Sequence, residues 1–137
     1  MLRINNKPME EMIADAVKSF PEECCGFMFG KEEPDNRIIS MVNTVRNSKE
    51  GDKRRRFEIS PLDYMSAERY AEENELLLLG IYHSHPNHPS IPSEHDRIAA
   101  QIYFSYVIIS VSEKEFNSIQ SWRLNDTTKF EEEQIIK

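Results

Sequence analysis

All four histidines of the chain, His83, His85, His88 and His95, fall in one short stretch that reads His83-Ser84-His85-Pro86 and then Ser93-Glu94-His95-Asp96. Residues two apart on a strand point to the same face, so His83 and His85 can aim both imidazoles at one point while Ser84 looks the other way. Two neutral imidazoles make half of a zinc site. Prolines at Pro86, Pro89 and Pro92 turn the chain back, and a helix opening at Ser93 would bring Asp96 one turn in, able to add a carboxylate oxygen as third ligand. Three protein ligands leave a coordination position for water, which is what separates a catalytic zinc from a structural one. Such a site needs a general base. Glu22 and Glu23 stand at the head of an apolar strand that could pair beside the histidine strand, and residue types alone do not choose between them. Ser93-x-x-Asp96 also reads as a helix capping box, in which the acid reaches back to the serine. That role competes with metal binding for Asp96.

These residues need elements to hold them. Met9, Met12, Ile13, Ala16 and Val17 recur at helical spacing and predict an amphipathic helix over Pro8–Phe20, closed by Pro21. Cys24–Gly30 and Arg37–Val45 read as the strands of a hairpin turning through Glu33-Pro34-Asp35-Asn36. Asn47–Arg56 is polar and reads as a loop, Phe57–Ser60 as a short strand, and Pro61 to about Asn74 as a helix with proline in its first turn. Leu76–Ser84 is the clearest strand. A helix from Ser93 to about Tyr103 and strands at Tyr106–Val111 and Asn117–Leu124 follow, with an acidic end of undetermined structure from Asp126 to Lys137. The expectation is an α+β fold, helices packed on a mostly antiparallel sheet. With 137 residues, 39% of them hydrophobic, and no repeat or flexible linker, one domain spanning 1–137 is expected.

Composition narrows the function classes. No apolar run reaches the roughly 18 residues of a membrane span, and Met1–Lys18 does not read as a signal peptide, so a cytoplasmic protein is expected. A net charge of −7 argues against nucleic-acid or membrane-surface binding. Lys53, Arg54, Arg55 and Arg56 form one basic cluster, read first as a solvated loop and second as a dock for an acidic partner face. Glu131, Glu132 and Glu133 read as a solubilising tail. Cys24 and Cys25 are adjacent and unsuited to bridging each other. Cys25 could line the site, although a free cysteine is more often a small buried hydrophobe. His88 reads as a solvated loop residue and His95 as a helix-surface residue.

With these residues in hand, the chain resembles the JAMM, or MPN+, metalloproteases, which cleave ubiquitin and ubiquitin-like proteins from their conjugates. The family pattern of His-x-His, seven residues, Ser, two residues, Asp is met by His83, His85, Ser93 and Asp96, with Pro86 after the second histidine. A glutamate three residues before a glycine in an apolar strand is met by Glu23 and Gly26, which selects Glu23 over Glu22. The resemblance, covering roughly Pro8 to Leu124, implies a curved sheet flanked by helices in a layered, cytidine-deaminase-like arrangement. It implies that His83, His85 and Asp96 bind Zn2+, that Glu23 moves the proton of the attacking water to the leaving amine, and that Ser93 hydrogen-bonds the oxyanion. A donor in an oxyanion hole is worth about 2.7–4 kcal/mol.

The function expected is a zinc-dependent peptidase or isopeptidase acting after the Gly-Gly-type tail of a ubiquitin-like or sulfur-carrier protein. A homodimer is compatible with this reading, and the sequence leaves the oligomeric state open. One rival is a catalytically silent MPN-type scaffold, against which the complete ligand set argues. Another is a zinc hydrolase of a small amide, such as a deaminase, but the Cys-x-x-Cys and His-x-Glu ligand motifs of those enzymes are missing.

Overall fold

The computed structural model describes residues 1–113 and 115–136. In chain order the elements are β1 (Leu2–Ile4), α1 (Asn6–Ser19), β2 (Cys25–Glu32), β3 (Arg37–Val45), α2 (Pro61–Glu73), β4 (Leu77–Pro86), α3 (Glu94–Ala99), β5 (Ser105–Ser112), β6 (Glu115–Leu124), β7 (Phe130–Glu133) and β8 (Ile135–Ile136). The strands form one sheet in the order β7-β6-β5-β4-β2-β3-β1-β8. Pairings β2–β3, β2–β4, β5–β6 and β6–β7 are antiparallel, and β1–β3, β1–β8 and β4–β5 are parallel. The α+β class holds, with a mixed and mostly antiparallel sheet.

β7 and β8 stand at opposite ends of that order, yet only Gln134 separates them in the chain. A single residue advances the chain by about 3.8 Å, so the sheet must curl until its edges nearly meet. Leu2 N donates to the Gln134 carbonyl at 2.8 Å on one side of this seam. The acidic end, read from sequence as a solubilising tail, is therefore built into the sheet. Its apolar residues Phe130, Ile135 and Ile136 are too few and too closely spaced to show a period.

The two sheet faces bury separate apolar clusters. Leu2, Met12, Ala16, Met28, Leu79 and Ile109 gather under α1 on one face, whereas Phe27, Ala67, Ala71, Ile81 and Tyr106 gather under α2 on the other. Met12 is fully buried, and burying such a side chain contributes about 1.5–3 kcal/mol. The Ser60 hydroxyl caps α2 by accepting from Asp63 N at 3.2 Å, with Pro61 in the first turn. Gly26 lets the Tyr82 ring lie flat on β2, since a Cβ there would meet that ring at 2.4 Å. The Tyr82 hydroxyl then donates to Asp15 of α1 at 2.8 Å.

Two expectations fail locally. Phe57–Ser60 is irregular instead of a strand; Glu58 N donates to the Asn47 side chain and the Glu58 carbonyl accepts from Ser48, so this backbone closes the 47–58 loop while Phe57 and Ile59 pack as single side chains. α3 ends at Ala99 and does not reach Tyr103. The chain breaks there because Gln101 N donates to the Tyr106 hydroxyl at 2.7 Å, which draws the backbone towards β5.

Candidate metal centre

β4 is buried along its second half and carries His83 and His85 on the α2 side, while the Ser84 hydroxyl on the α1 side accepts from Cys24 N at 2.8 Å. β2 runs antiparallel beside it with Cys25 opposite His83. Ser84 N also donates to the Cys24 carbonyl at 3.1 Å, continuing the ladder and setting Glu23 beside His85. After β4 the chain crosses over through α3 to the parallel β5, so Asp96 approaches from above the strand ends.

Three side chains converge. His83 Nε2 and His85 Nε2 are 3.1 Å apart, His85 Nε2 is 3.1 Å from Asp96 Oδ2, and His83 Nε2 is 3.4 Å from Asp96 Oδ1. Donors about 2.0–2.1 Å from a tetrahedral zinc lie about 3.3 Å from one another, so the observed spacings are those of a zinc ligand set. The donor types, two imidazoles and one carboxylate, suit zinc as well. These three residues are the group placed to hold a metal ion among the described residues.

Each ligand is aimed by a neighbour. His85 Nδ1 donates to the Pro89 carbonyl at 2.9 Å, leaving the Nε2 lone pair for the shared point. His83 is oriented by stacking, its ring 4.4 Å from that of Phe57 with 26° between planes, and its Nδ1 has no partner among the described residues. The Pro89 carbonyl is held because the loop is pinned to the sheet: the buried Ser90 bonds Ser118 and Gln120, and Trp122 Nε1 donates to the Ser90 carbonyl. Asp96 is aimed by the capping box itself. Ser93 Oγ accepts from Asp96 N at 3.1 Å, and Asp96 Oδ2 accepts from Ser93 N at 2.9 Å. The competition expected between cap and ligand does not arise, because a carboxylate oxygen has lone pairs for both and its second oxygen faces His83.

The electrostatics follow from this crowding. Burial drives the His83 pKa down, only partly offset by Asp96. Burial would lower His85 too, but the Asp96 carboxylate and the Pro89 carbonyl outweigh it and raise the pKa above its ordinary value. Burial would raise Asp96, yet the two histidines hold it well below the usual carboxylate range. Glu23 is 7% exposed, and burial pushes its carboxyl up to about 8, with His85 pulling the other way.

Glu23 and Ser93 both border the open basin beside His85, so the two polar residues predicted to act on substrate share one approach to the triad. Cys25 is fully buried, and burial pushes its thiol up to about 12; Cys24 is shifted further in the same direction. Neither thiol is placed to react. His88 is exposed in the Glu23 basin, while His95 lines the enclosed cavity on the far side of the triad, and neither joins the ligand cluster. Arg55 and Arg56 border the Glu23 basin, so half of the basic cluster faces the site.

Asn47 escaped sequence reasoning. Asn47 Nδ2 donates to the Glu23 carbonyl at 3.1 Å and to the Arg56 carbonyl at 3.0 Å, and its Oδ1 accepts from Lys49 N and Glu58 N at 3.0 and 3.1 Å. It fastens the 47–58 loop to the backbone of Glu23, where Glu23 N also donates to the Lys53 carbonyl at 2.7 Å. An asparagine two residues past the end of a strand, opening a polar loop, was the available signal.

Comparison with known proteins agrees with this geometry. The family model described as prokaryotic homologues of the JAB domain matches residues 6–125. The chain is 33% identical to a desampylase of Pyrococcus furiosus over 124 residues, 90% of this chain and 82% of that protein. It is 27% identical to a CysO-cysteine peptidase of Mycobacterium tuberculosis, over 88% of this chain and 81% of that one. A solution structure of a Desulfitobacterium hafniense protein superposes with a TM-score of 0.86 at 30% identity, covering 99% of this chain and 92% of that one. A JAB1/MPN domain protein of Archaeoglobus fulgidus shares the fold, with a TM-score of 0.59 at 16% identity and full coverage of both chains. By its sequence match and its fold, this chain belongs to the family of prokaryotic homologues of the JAB domain.

Proposed function

We propose that the chain is a zinc-dependent peptidase or isopeptidase that cleaves after the C-terminal Gly-Gly-type tail of a ubiquitin-like or sulfur-carrier protein. The observation that carries this reading is the convergence of His83 Nε2, His85 Nε2 and the Asp96 carboxylate at zinc-ligand spacing beside the buried Glu23. Homologues that process ubiquitin-like or sulfur-carrier proteins support the substrate half, the desampylase, the CysO-cysteine peptidase and a probable TtuB-protein conjugate cleaving protease of Thermus thermophilus among them.

Zinc held by His83, His85 and Asp96 would lower the pKa of water to about 7 and polarise the scissile carbonyl. The chain's own residues do the rest. The Glu23 carboxylate takes the proton of the attacking water and gives it to the leaving nitrogen. Its upward shift favours holding that proton between the two transfers, and a cation at the triad draws the pKa back towards neutrality. The Ser93 oxygen already accepts from Asp96 N, so its own proton is free for the developing oxyanion. His85, locked by Pro89, and His83, stacked on Phe57, keep their Nε2 atoms in place without rearrangement.

The test is elemental analysis for zinc together with cleavage of a ubiquitin-like protein bearing a C-terminal extension, with and without chelator. About one zinc per chain and chelator-sensitive cleavage are expected, and Glu23→Gln should keep the zinc while losing about 10²–10⁴-fold in turnover. Equal loss of zinc in Glu23→Gln and Asp96→Ala would overturn this division of roles.

A further inference from the structure

Two hollows meet at the triad, and their linings differ. The enclosed one, about 220 Å³, lies towards α2 and α3 and is walled by Ile59, Ile81, Tyr106 and Phe130. The other, about 520 Å³, lies on the Glu23 side and is bordered by Arg55, Arg56, His88 and Ser93. Two guanidinium groups beside the general base run against a net charge of −7. Their loop is fastened to the site by the backbone bond from Glu23 N to the Lys53 carbonyl and by the Asn47 side chain, which donates to the Arg56 carbonyl. The Arg56 guanidinium donates to the Arg55 carbonyl and has no carboxylate in ion-pair range among the described residues, although its charge acts on Glu23. Among the described residues Arg55 pairs with Asp52, at 3.8 Å with side chains 79% and 55% exposed, a pair worth little in water.

We propose that Arg55 and Arg56 bind a carboxylate on the leaving-group side of the scissile bond, so that the preferred leaving group is a single α-amino acid with a free carboxylate. The proposal rests on the peptidase reading above. Glu23 must stand beside the leaving nitrogen to protonate it. In an α-amino acid the carboxylate carbon is only about 2.5 Å from that nitrogen, which places it in the basin bordered by the two guanidinium forks. A lysine side chain leaving from an isopeptide bond brings a four-carbon stem there and no free carboxylate. Guanidinium pairs with carboxylate through parallel charge-assisted hydrogen bonds, which fits this geometry. The reaction balances as simple hydrolysis. The water oxygen bonds to the carbonyl carbon, the C–N bond breaks, the carrier keeps a new carboxylate, and the amine leaves with the proton delivered by Glu23.

The test uses the zinc-loaded full chain and one ubiquitin-like carrier ending in Gly-Gly, extended by alanine, alaninamide or aspartic acid amide, or joined to lysine by an isopeptide bond. The alanine acid should exceed the alaninamide by roughly tenfold in kcat/KM, the worth of one charge-assisted contact partly screened by solvent. That ratio should shrink as salt rises, and in Arg56→Ala and the Arg55→Ala/Arg56→Ala double variant it should fall towards one. Both side chains are exposed, so zinc content and melting temperature check that the fold survives. Equal cleavage of acid and amide, an isopeptide cleaved as well as the alanine acid, or a ratio unchanged in the double variant overturns the proposal alone. Aspartic acid amide cleaved as well as the alanine acid overturns the assignment to the α-carboxylate. Zinc binding with no cleavage of any substrate overturns the peptidase reading, and this proposal with it.

Discussion

Replacing Asn47 tests whether the loop beside the site sets the position of Glu23, the carboxylate proposed to act as general base. Asn47→Ala deletes four hydrogen bonds, two of them partly buried, to the Glu23 carbonyl and from Lys49 N, and two exposed, to the Arg56 carbonyl and from Glu58 N. The exposed partners regain water, so the cost comes mainly from the buried pair, about 1 kcal/mol each. A loss of about 2 kcal/mol should lower the melting temperature by roughly 5–10 °C in a domain of this size. The larger effect is on turnover. Glu23 leaves β2's regular ladder and is held by Asn47 and by its own N–H on Lys53, and a displacement of about 1 Å costs on the order of 100-fold in rate. Asn47→Asp sharpens the test, since the carboxylate still accepts from Lys49 and Glu58 but cannot donate to the carbonyls of Glu23 and Arg56. Both variants should keep stoichiometric zinc, because Asn47 touches none of the three ligands. The measurements are elemental analysis, thermal unfolding and kcat on a carrier fusion. A variant that melts lower yet turns over within about twofold of the parent would refute the positioning argument.

Asp96→Asn should retain the cap on α3, because an amide oxygen can still accept from Ser93 N, yet weaken zinc binding. Asp96→Ala should lose the ligand and the bond from Ser93 N while the Ser93 hydroxyl still caps the residue-96 N–H, adding about 1 kcal/mol of destabilisation from the lost half of the box; urea unfolding of the metal-free proteins separates the two effects. Phe57→Ala removes the ring that orients His83 and should weaken zinc by roughly 10–100-fold, as loss of a supporting contact does at other metal sites, read by competition with a chelating dye. In the metal-free protein His85 titrates above its ordinary value of 6.5, so its protonated pairing with Asp96 stabilises the fold below that value and the contribution fades as pH rises through the raised one. Zinc must displace that proton. Calorimetry in buffers of different ionisation enthalpy should therefore show proton release and tighter binding as pH rises through this window.

The metal-ligating triad was legible in the residues because it depends on short-range spacing, whereas the choice of Glu23 over Glu22 came only from the family resemblance. Two histidines on alternate positions of a strand share a face whatever surrounds them, and Ser93 and Asp96, three apart at a helix start, meet whatever the helix packs on. The apolar runs of β2 and β4 and the periodicity of α1 likewise announce themselves within ten or fifteen residues. What lay beyond reach were contacts made across the chain. The carbonyl of Pro89 can lock His85 only because Ser90 reaches β6 some thirty residues later. Phe57, irregular in backbone and expected as a strand, matters for the ring it lays on His83, and Asn47 matters for a backbone carbonyl 24 positions before it. β1, β7 and β8 are too short to carry a period, and they exist as strands only because the curled sheet offers edges for them to pair with. Local spacing thus determined which atoms could hold a metal, while long-range hydrogen bonds and packing, which leave no periodic trace in the sequence, decided how those atoms are aimed and which charges stand beside them.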